Sequence, residues 1–364
     1  MNIHAQPNPV TLPERRDLFY GGGWHVPAKN KRTGTINPST GESLGEVGWA
    51  DAEDVDHAVK AAYRGFQTWR AVKPLERAKI LRAVAQLIRK HGRELALIDS
   101  ANCGNPIREM VRDAEFGATS IDFFAGLATE IKGDTIPMGG DALNYTVREP
   151  LGVVVRVNAY NHPFLFATMK IGAPLVAGNS IVIKPPIIAA VSAIKPGLPT
   201  DDATEMGCLV SKAQFEKVMG YIAAGQADGA KLVAGGKKPD DPQLTNGFYI
   251  EPAIFAGVTP QMRIAKEEIF GPVLSVFKWR DENEMFEAVN AVDYGLTASI
   301  WTKDLKTAHR AAARVEVGFV WVNTVGAHFL GAPFGGYKQS GMGREESADE
   351  LLEYTQIKNV NIAL

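Results

Sequence analysis

The stretch from Leu151 to Lys184 decides the fold of this chain. Gly152-Val-Val-Val-Arg-Val157 predicts a buried strand, residues from Pro163 to Val176 predict a helix, and Ser180-Ile-Val-Ile183 predicts a second strand. Such a run forms a β-α-β unit, whose strands pair in parallel through a right-handed crossover. Lys184 comes at the carboxyl end of the second strand, the edge where open α/β sheets bind ligands. Its position alone allows either a cofactor contact or a solvated loop lysine.

The pattern stops directly after this unit. Residues from Ile187 to Ile194 predict the start of another crossover helix, but Pro196-Gly-Leu-Pro199 ends it. The sequence has no third parallel strand and no glycine-rich strand-to-helix turn here, although a mononucleotide-binding half needs both. We therefore predict an incomplete sheet with an exposed edge. Such a fold is expected to be marginally stable, prone to aggregation or dependent on partner subunits.

The composition is that of a globular protein and excludes several function classes. The 364 residues are 45% hydrophobic and 22% charged, with 39 Lys and Arg against 41 Asp and Glu. This balance argues against a nucleic-acid partner and against a polybasic membrane surface. The most apolar stretch, Ile171 to Ile194, is too broken to cross a bilayer. Two cysteines exclude a disulfide scaffold and, with no signal-peptide pattern at the start, predict a reducing, cytoplasmic location.

The flanking regions predict helices on one side and mixed elements on the other. Before the β-α-β unit, Asp51 predicts the N-cap of the first of four helices, the last of which extends to about Ile131. Asn144 to Arg148 predicts an edge or arm strand. After the unit, strands and helices alternate again as far as a final helix, Ser347 to Tyr354, and a final strand, Asn359 to Leu364. The chain as a whole is therefore predicted to be α/β.

Other kinds of site are not supported by the sequence. The glycine-rich loop from Gly331 to Arg344 is not a phosphate-binding loop, because Lys338 is followed by Gln339 and no strand-loop-helix context fits. The histidines are scattered without metal-ligand spacing, so no metal site is predicted. No Gly-x-Ser-x-Gly motif supports a Ser/His/Asp set.

A set of segments in a fixed order carries a family resemblance. The chain resembles the aldehyde dehydrogenase superfamily, because these segments occur in family order, reach both ends of the chain and are jointly highly specific. They are Asn37-Pro-Ser-Thr-Gly41, Glu149-Pro-Leu-Gly-Val-Val154, Asn158-Ala-Tyr-Asn-His-Pro163, Ala177-Gly-Asn-Ser-Ile-Val-Ile-Lys-Pro185, Glu267-Glu-Ile-Phe-Gly-Pro-Val273, Tyr294-Gly-Leu-Thr-Ala298 and Pro333-Phe-Gly-Gly-Tyr-Lys-Gln-Ser-Gly341.

The resemblance implies an aldehyde-dehydrogenase-like α/β fold and an oxidoreductase activity. The fold would comprise a truncated doubly wound cofactor domain, a second α/β domain and a β oligomerisation arm. The family oxidises a small aldehyde to a carboxylic acid with NAD or NADP as cofactor. A cysteine thiolate attacks the carbonyl, hydride leaves to the nicotinamide, and a glutamate activates water to hydrolyse the thioester. Hydrogen-bond donors aimed at the oxyanion complete the site.

The resemblance carries roles over to four residues. Asn161 matches the asparagine whose amide helps to hold the oxyanion, and Lys184 matches the lysine that contacts the adenosine ribose. Glu268 matches the carboxylate that holds the nicotinamide ribose, and Phe270 matches the aromatic ring beside the nicotinamide. Without the resemblance, core packing accounts for Phe270 and a surface salt bridge accounts for Glu268.

The family's next segments are missing from the sequence. The glycine turn for the pyrophosphate, the Glu-Leu-Gly-Gly motif with the general base and the Gly-Gln-x-Cys motif with the nucleophile should lie between Lys184 and Gly207, and none occurs anywhere. Ile187 stands where the family has a ribose-binding glutamate, and a hydrophobic side chain cannot accept those hydrogen bonds. Catalysis and NAD(P) binding are therefore expected to be impaired.

No other side chain replaces the missing groups in an obvious way. Cys103 ends a helix, whose dipole raises a thiol pKa. Cys208 precedes a helix cap at Ser211, in a segment that the family does not use for chemistry. His162, in the turn with Asn161, is interpreted as a satisfied polar side chain beside the cleft rather than as a catalyst.

The predicted organisation leaves three functions open. One is a degenerate aldehyde dehydrogenase homologue without turnover, the second is a working NAD(P)-dependent aldehyde oxidoreductase with a relocated nucleophile, and the third is a non-catalytic subunit that joins oligomers of a full-length relative. A homo-oligomer is also expected.

The predicted segments are the N-terminal helical part of the cofactor-binding domain (1–133), arm strands (134–157), the incomplete β-α-β (158–195), the remnant of the catalytic domain (196–343) and the C-terminal helix and arm strand (344–364).

Overall fold

The chain divides into two compact units. The computed structural model describes residues 10–139, 142–159, 161–184 and 196–363. The first unit comprises Met1–Phe215, Lys238–Tyr249 and Leu351–Leu364, and the second comprises Glu216–Lys237 and Ile250–Glu350. The five segments predicted from the sequence stay a prediction.

The first unit combines a helical layer with short sheets. Its helices are α1 Ala52–Trp69, α2 Pro74–Lys90, α3 Gly92–Cys103, α4 Ile107–Gly126, α5 Pro163–Met169 and α6 Gly172–Ala177, and α7 Lys212–Ala227 begins in it. Its strands are β1 Leu18–Tyr20, β2 Gly23–His25, β3 Arg32–Ile36, β4 Ser43–Gly48, β5 Thr135–Ile136, β6 Ala142–Pro150, β7 Val153–Val157, β8 Ser180–Lys184 and β16 Thr355–Ala363.

The second unit alternates strands and helices. Its strands are β9 Lys231–Ala234, β10 Ala253–Ala256, β11 Val273–Val276, β12 Tyr294–Gly295, β13 Thr297–Ile300, β14 Phe319–Val322 and β15 Tyr337–Lys338. Its helices are α8 Arg263–Lys266, α9 Glu282–Asn290 and α10 Leu305–Arg314, and α11 Ala348–Glu353 begins in it and ends in the first unit. The pairs β10–β11 and β13–β14 are parallel. The predicted α/β class is confirmed in both units. In the described part of the chain, no helix is long and apolar enough to cross a membrane.

Helix α1 begins where the sequence predicts. The Asp51 side chain accepts hydrogen bonds from the backbone N–H groups of Glu53 and Asp54, and the Asp54 side chain accepts one from the backbone of Asp51. This reciprocal capping box satisfies backbone donors that a helix start leaves unpaired. The predicted N-cap at Asp51 is therefore confirmed.

The core of the first unit forms around α4. Ile121 and Phe124 are fully buried and pack in one cluster with Leu81 of α2. Small side chains on the same faces, such as Ala118, let the helices approach closely. Burying each large side chain contributes about 1.5–3 kcal/mol. The helical layer thus packs against both the strands and the helices of the β-α-β unit.

The β-α-β unit has the predicted parallel pairing. Val153 lies opposite Ser180, and Val157 lies opposite Lys184. Among the described residues, β8 pairs only with β7. Val157 is 73% exposed, an unusual state for an apolar residue of a parallel strand. The helix predicted from Ile187 to Ile194 lies outside the described residues.

The structure corrects several predicted boundaries. The single helix predicted from Pro163 to Val176 is two helices, α5 and α6, because Pro174 has no N–H to continue the ladder to Lys170. Helix α4 ends at Gly126, not near Ile131, since glycine weakens a helix end.

A long antiparallel ladder joins the middle of the chain to its last residues. Strand β16 pairs with β6 in a register from Thr355 opposite Pro150 to Ala363 opposite Ala142, and β5 adds a short third strand. The two predicted arm strands are therefore confirmed as strands, although the last one begins at Thr355 rather than at Asn359. The Asn144 and Asn359 amides bond each other across the ladder, which fixes the register.

Candidate active site

The carboxyl edge of β7 and β8 carries two of the four predicted site residues. The backbone N–H of Asn158 donates to the carbonyl oxygen of Lys184 at 3.2 Å. This bond extends the parallel pairing by one residue and starts the turn that contains Asn161. Because Val157 and Lys184 are paired, Asn161 and Lys184 lie at the same edge of the sheet. The Lys184 side chain is exposed, so its ammonium is accessible to a ligand.

A buried asparagine holds the backbone of the Asn161 turn. The side-chain amide of Asn105, which lies between α3 and α4, donates to the carbonyl oxygen of Asn161 at 2.6 Å. Asn105 is itself fixed, because the Ser100 hydroxyl donates to its carbonyl oxygen at 2.6 Å. Asn105 is only 6% exposed. The oxyanion donor predicted from the family resemblance therefore lies on a turn anchored to the helical layer.

Two carboxylates from the helical layer hold the next residues of the turn. Asp113 of α4 accepts from Nδ1 of His162 at 2.6 Å. Asp99 of α3 accepts from the backbone N–H of Phe164 at 3.2 Å, which satisfies a donor in the first turn of α5. The interpretation of His162 as a satisfied polar side chain is supported by the contact with Asp113.

The same contacts set the charges in this cluster. Burial opposes the charged imidazole of His162, but the hydrogen bond and charge of Asp113, together with Asp99 and Glu109, outweigh it and raise the pKa of His162. Burial raises the pKa of Asp99 to about 7, although the Phe164 N–H and His162 oppose the rise. Near neutral pH, the Asp99 carboxyl group is therefore partly protonated. The interactions of the His162 ring with the acidic groups stabilise its charged form.

Both thiols are buried away from solvent. Cys103 is 0% exposed, and burial followed by the charge of Asp99 raises its pKa well above the usual value. Cys208 is 2% exposed, and burial raises its pKa as well. The sequence predicted a raised pKa at Cys103 from the helix dipole, and the structure gives burial as the main cause. Gly104, at φ +84°, lies so close that a Cβ there would meet Cys208 Sγ at 2.6 Å.

The other two predicted site residues lie in the second unit. The backbone carbonyl of Glu268 accepts from Lys217 Nζ at 3.1 Å, and its side chain is exposed. Within the described residues, this carboxylate makes no ion pair, so the alternative of a surface salt bridge is not supported. Its neighbour Glu267 makes the salt bridge instead, with Arg263 at 2.9 Å. Phe270 is half-buried at φ +53°, so it is not a fully buried core residue.

Sequence reasoning missed the residues that anchor the turn. Asn105, Asp99 and Asp113 lie 49 to 65 positions before the residues that they contact, and no local spacing links them. A buried carboxylate on a helix face is the one available signal, since Asp and Asn are rarely buried without a partner. In the described part of the chain, no cluster of His, Cys, Asp and Glu has a geometry that would hold a metal ion.

A parallel β-α-β unit with a lysine and an asparagine turn at its carboxyl edge defines an α/β protein whose ligand is expected at that edge of the sheet. The family model of the aldehyde dehydrogenase family matches residues 24–195 and 186–360. The chain therefore belongs to the aldehyde dehydrogenase family. The two matched segments overlap at residues 186–195, where the predicted β-α-β pattern stops.

Individual relatives match over almost the whole chain. The aldehyde dehydrogenase tropH of Talaromyces stipitatus is 37% identical over 485 aligned positions, covering 97% of this chain and 94% of that protein. The NAD+ complex of an aldehyde dehydrogenase from Bacillus cereus superposes with a TM-score of 0.90 at 28% identity, covering 96% of this chain and 97% of the other. Betaine aldehyde dehydrogenase from Staphylococcus aureus, in complex with NAD+, has a TM-score of 0.91 at 25% identity, covering 96% and 95%.

Proposed function

We propose that this chain is an aldehyde dehydrogenase homologue that retains the oxyanion turn at Asn161 but does not turn over aldehydes. The family reaction is the NAD(P)-dependent oxidation of an aldehyde to a carboxylic acid, and it needs a reactive thiolate and a general base. The observation that carries the proposal is the state of the two thiols. Cys103 and Cys208 are buried with raised pKa values, so neither supplies a thiolate near neutral pH.

An internal deletion accounts for the missing nucleophile and base. The family motifs that carry these groups do not occur in the sequence. The match to the Talaromyces protein extends over 485 aligned positions, more than the 364 residues of this chain, so the alignment must leave gaps in this chain. The two segments of the family match meet at residues 186–195, which supports a deletion at that place.

The described residues suit the ribose and nicotinamide parts of a dinucleotide but not its pyrophosphate. Lys184 and Glu268 have exposed side chains that suit the ribose roles carried over from the family, and Phe270 suits the nicotinamide side. Nothing in the described ranges replaces the glycine turn that would hold the pyrophosphate. We therefore infer weakened binding of NAD or NADP.

The decisive experiment is an aldehyde-dependent NAD(P)H absorbance assay on the purified chain. The expected result is no turnover above the blank with a panel of aliphatic and aromatic aldehydes. Turnover that Cys208→Ala abolishes would instead establish a relocated nucleophile and overturn the proposal. Cys103→Ala is the matched control, because that thiol is buried to the same degree.

A non-catalytic subunit role is the second candidate function. The observation that favours it is the retained ladder of β6 and β16, since the family uses this arm to join subunits. Among the described residues, β16 pairs only with β6, so its outer edge has unpaired backbone groups. Co-purification with a full-length relative is the expected result, and a stable, monodisperse protein without partners would contradict this role.

A further inference from the structure

We propose that Asn246 is a site of spontaneous covalent modification, at which the side-chain amide is lost and the main chain is rerouted through the side chain as isoaspartate. Asn246 and Gly247 form the one Asn-Gly pair in the sequence. Such a pair is chemically labile, because glycine has no Cβ to hinder attack by its own backbone nitrogen. The modification is independent of the proposed function, since neither an aldehyde nor NAD(P) takes part.

The Asn246 side chain is accessible. The residue lies in a turn that follows the short 3₁₀ helix Pro242–Leu244, and it is exposed. Within the described residues, no hydrogen bond holds its side-chain amide. The side chain is therefore free to rotate until its amide carbon faces the backbone nitrogen of Gly247.

The structure requires glycine at position 247. A Cβ there would lie 2.3 Å from a ring carbon of Tyr249 and 2.5 Å from the carbonyl oxygen of Ser39. Tyr249 is 0% exposed and Ser39 is 3% exposed, so neither neighbour has room to move away. Because no larger residue fits after Asn246, the packing of the first unit maintains the labile pair.

A single long hydrogen bond restrains the attacking nitrogen. The Gly247 N–H donates to the carbonyl oxygen of Leu244 at 3.2 Å, which is the long end of the normal range. An exposed turn with so weak a restraint opens locally at low cost in free energy. The folded chain therefore slows the attack but does not prevent it.

Asn179 has the opposite environment and serves as an internal control. It also precedes a small residue, Ser180, but it is 0% exposed. Its Oδ1 accepts from the Gly152 N–H at 2.8 Å, and its Nδ2 donates to the carbonyl oxygens of Pro174 and Tyr354 at 3.1 and 3.0 Å. An amide held on both sides cannot rotate towards the next backbone nitrogen, so Asn179 is expected to be stable in the native chain.

The reaction needs no reactant other than water. The Gly247 nitrogen gives up its proton and bonds to Cγ of Asn246, while the bond from Cγ to the amide nitrogen breaks and ammonia leaves with that proton. Water then opens the cyclic imide. Opening at the main-chain carbonyl gives isoaspartate, and opening at the side-chain carbonyl gives aspartate. One amide and one water thus give one carboxylic acid and one ammonia.

The isoaspartate form should disturb the residues that follow it. Its main chain has one additional carbon before Gly247, a residue that is buried with no free space around it. Directly after it, the Phe248 N–H donates to the carbonyl oxygen of Pro38 at 3.2 Å, and the Phe248 carbonyl accepts from Leu209 at 2.8 Å. We expect both hydrogen bonds to weaken. Asn246→Asp is the matched control, because it adds the same charge without the additional carbon.

The test is incubation of the full native chain at pH 8 and 37 °C, followed by peptide mapping with mass spectrometry. Methylation by a protein isoaspartyl methyltransferase is the second readout. We expect the loss of one amide per chain, at Asn246, while Asn179 keeps its amide. Asn246→Gln should abolish the methylation, because the longer side chain forms its imide far more slowly, and this exposed position tolerates the change.

Two results would overturn the proposal. One is an intact Asn246 amide in the native chain after a time in which a free peptide of residues 240–250 has lost it, and the other is equal loss at Asn179. Amide hydrogen exchange at residues 247–249 tests the structural consequence, and it should be faster in the isoaspartate form than in Asn246→Asp. Equal exchange in these two forms would show that the additional carbon is accommodated and would overturn that consequence.

Discussion

The side-chain amide of Asn105 lies 2.6 Å from the backbone carbonyl oxygen of Asn161, so the connection between α3 and α4 fixes the turn at the edge of the β-α-β unit. Fifty-six residues separate the two positions in sequence. The turn is thus held in place by residues of the helical layer rather than by its own sequence.

The first prediction concerns this contact. Asn105→Ala removes a buried amide donor, so the carbonyl oxygen of Asn161 loses its hydrogen bond from Asn105. We expect the free energy of unfolding to fall by about 1–3 kcal/mol. We also expect faster amide hydrogen exchange at residues 161–164, measured by mass spectrometry. Asn246→Ala, at an exposed turn position, is the control, and equal exchange at residues 161–164 in both variants would contradict the anchoring role.

The second prediction concerns pH and Asp99. Its pKa is raised from 3.8 to about 7 by burial, so the folded state binds more protons than the unfolded state between these values. Stability should therefore be greatest below about pH 4 as far as this group is concerned, and should fall as pH rises through 7. Asp99→Asn should remove this pH dependence, which amounts to up to a few kcal/mol in the free energy of unfolding. Urea unfolding at pH 5, 6, 7 and 8 measures it, and parallel curves for both proteins would show that Asp99 does not titrate there.

The third prediction concerns the thiols. Because Cys103 and Cys208 are buried and have raised pKa values, iodoacetamide should modify neither at neutral pH in the native state. Both should react in denaturant. Mass spectrometry of the intact chain counts the adducts, and rapid labelling of one native thiol would refute the burial argument and weaken the proposed lack of turnover.

The fourth prediction concerns the core under α4. Ile121 is fully buried in the main cluster, so Ile121→Ala should destabilise the first unit by about 2–5 kcal/mol. Val111→Ala on the same helix, at a 36% exposed position, should cost far less. Thermal unfolding of both variants compares them directly. Similar losses would indicate that the helical layer is loosely packed.

Local patterns in the sequence were sufficient for the β-α-β unit and the first helix. The parallel pairing of β7 and β8 follows from two apolar runs, and the cap at Asp51 follows from its place directly before an apolar helical pattern. The break between α5 and α6 was missed because apolar residues run through it, although Pro174 marks it. Contacts between residues far apart in the sequence could not be predicted from local patterns. No sequence pattern around Asp113 predicts its contact with His162. The contacts that anchor the candidate site are therefore known only from the structure.

The roles assigned by resemblance depend on the family rather than on chemistry visible in this chain alone. Asn161 and Lys184 lie at one sheet edge, which strand order could predict. Glu268 and Phe270 lie in the second unit, and no pattern in the sequence connects them to that edge. Their roles in cofactor binding stay predictions, to be tested by binding of NAD, NADP and ADP-ribose.

The ladder between β6 and β16 joins residues about two hundred positions apart. Contacts of such high sequence separation form late, since a large loop must close first. During synthesis on the ribosome, β6 stays unpaired until residues 355–363 have emerged from the exit tunnel. A chaperone that shields an unpaired strand would therefore be most useful to this chain in that interval.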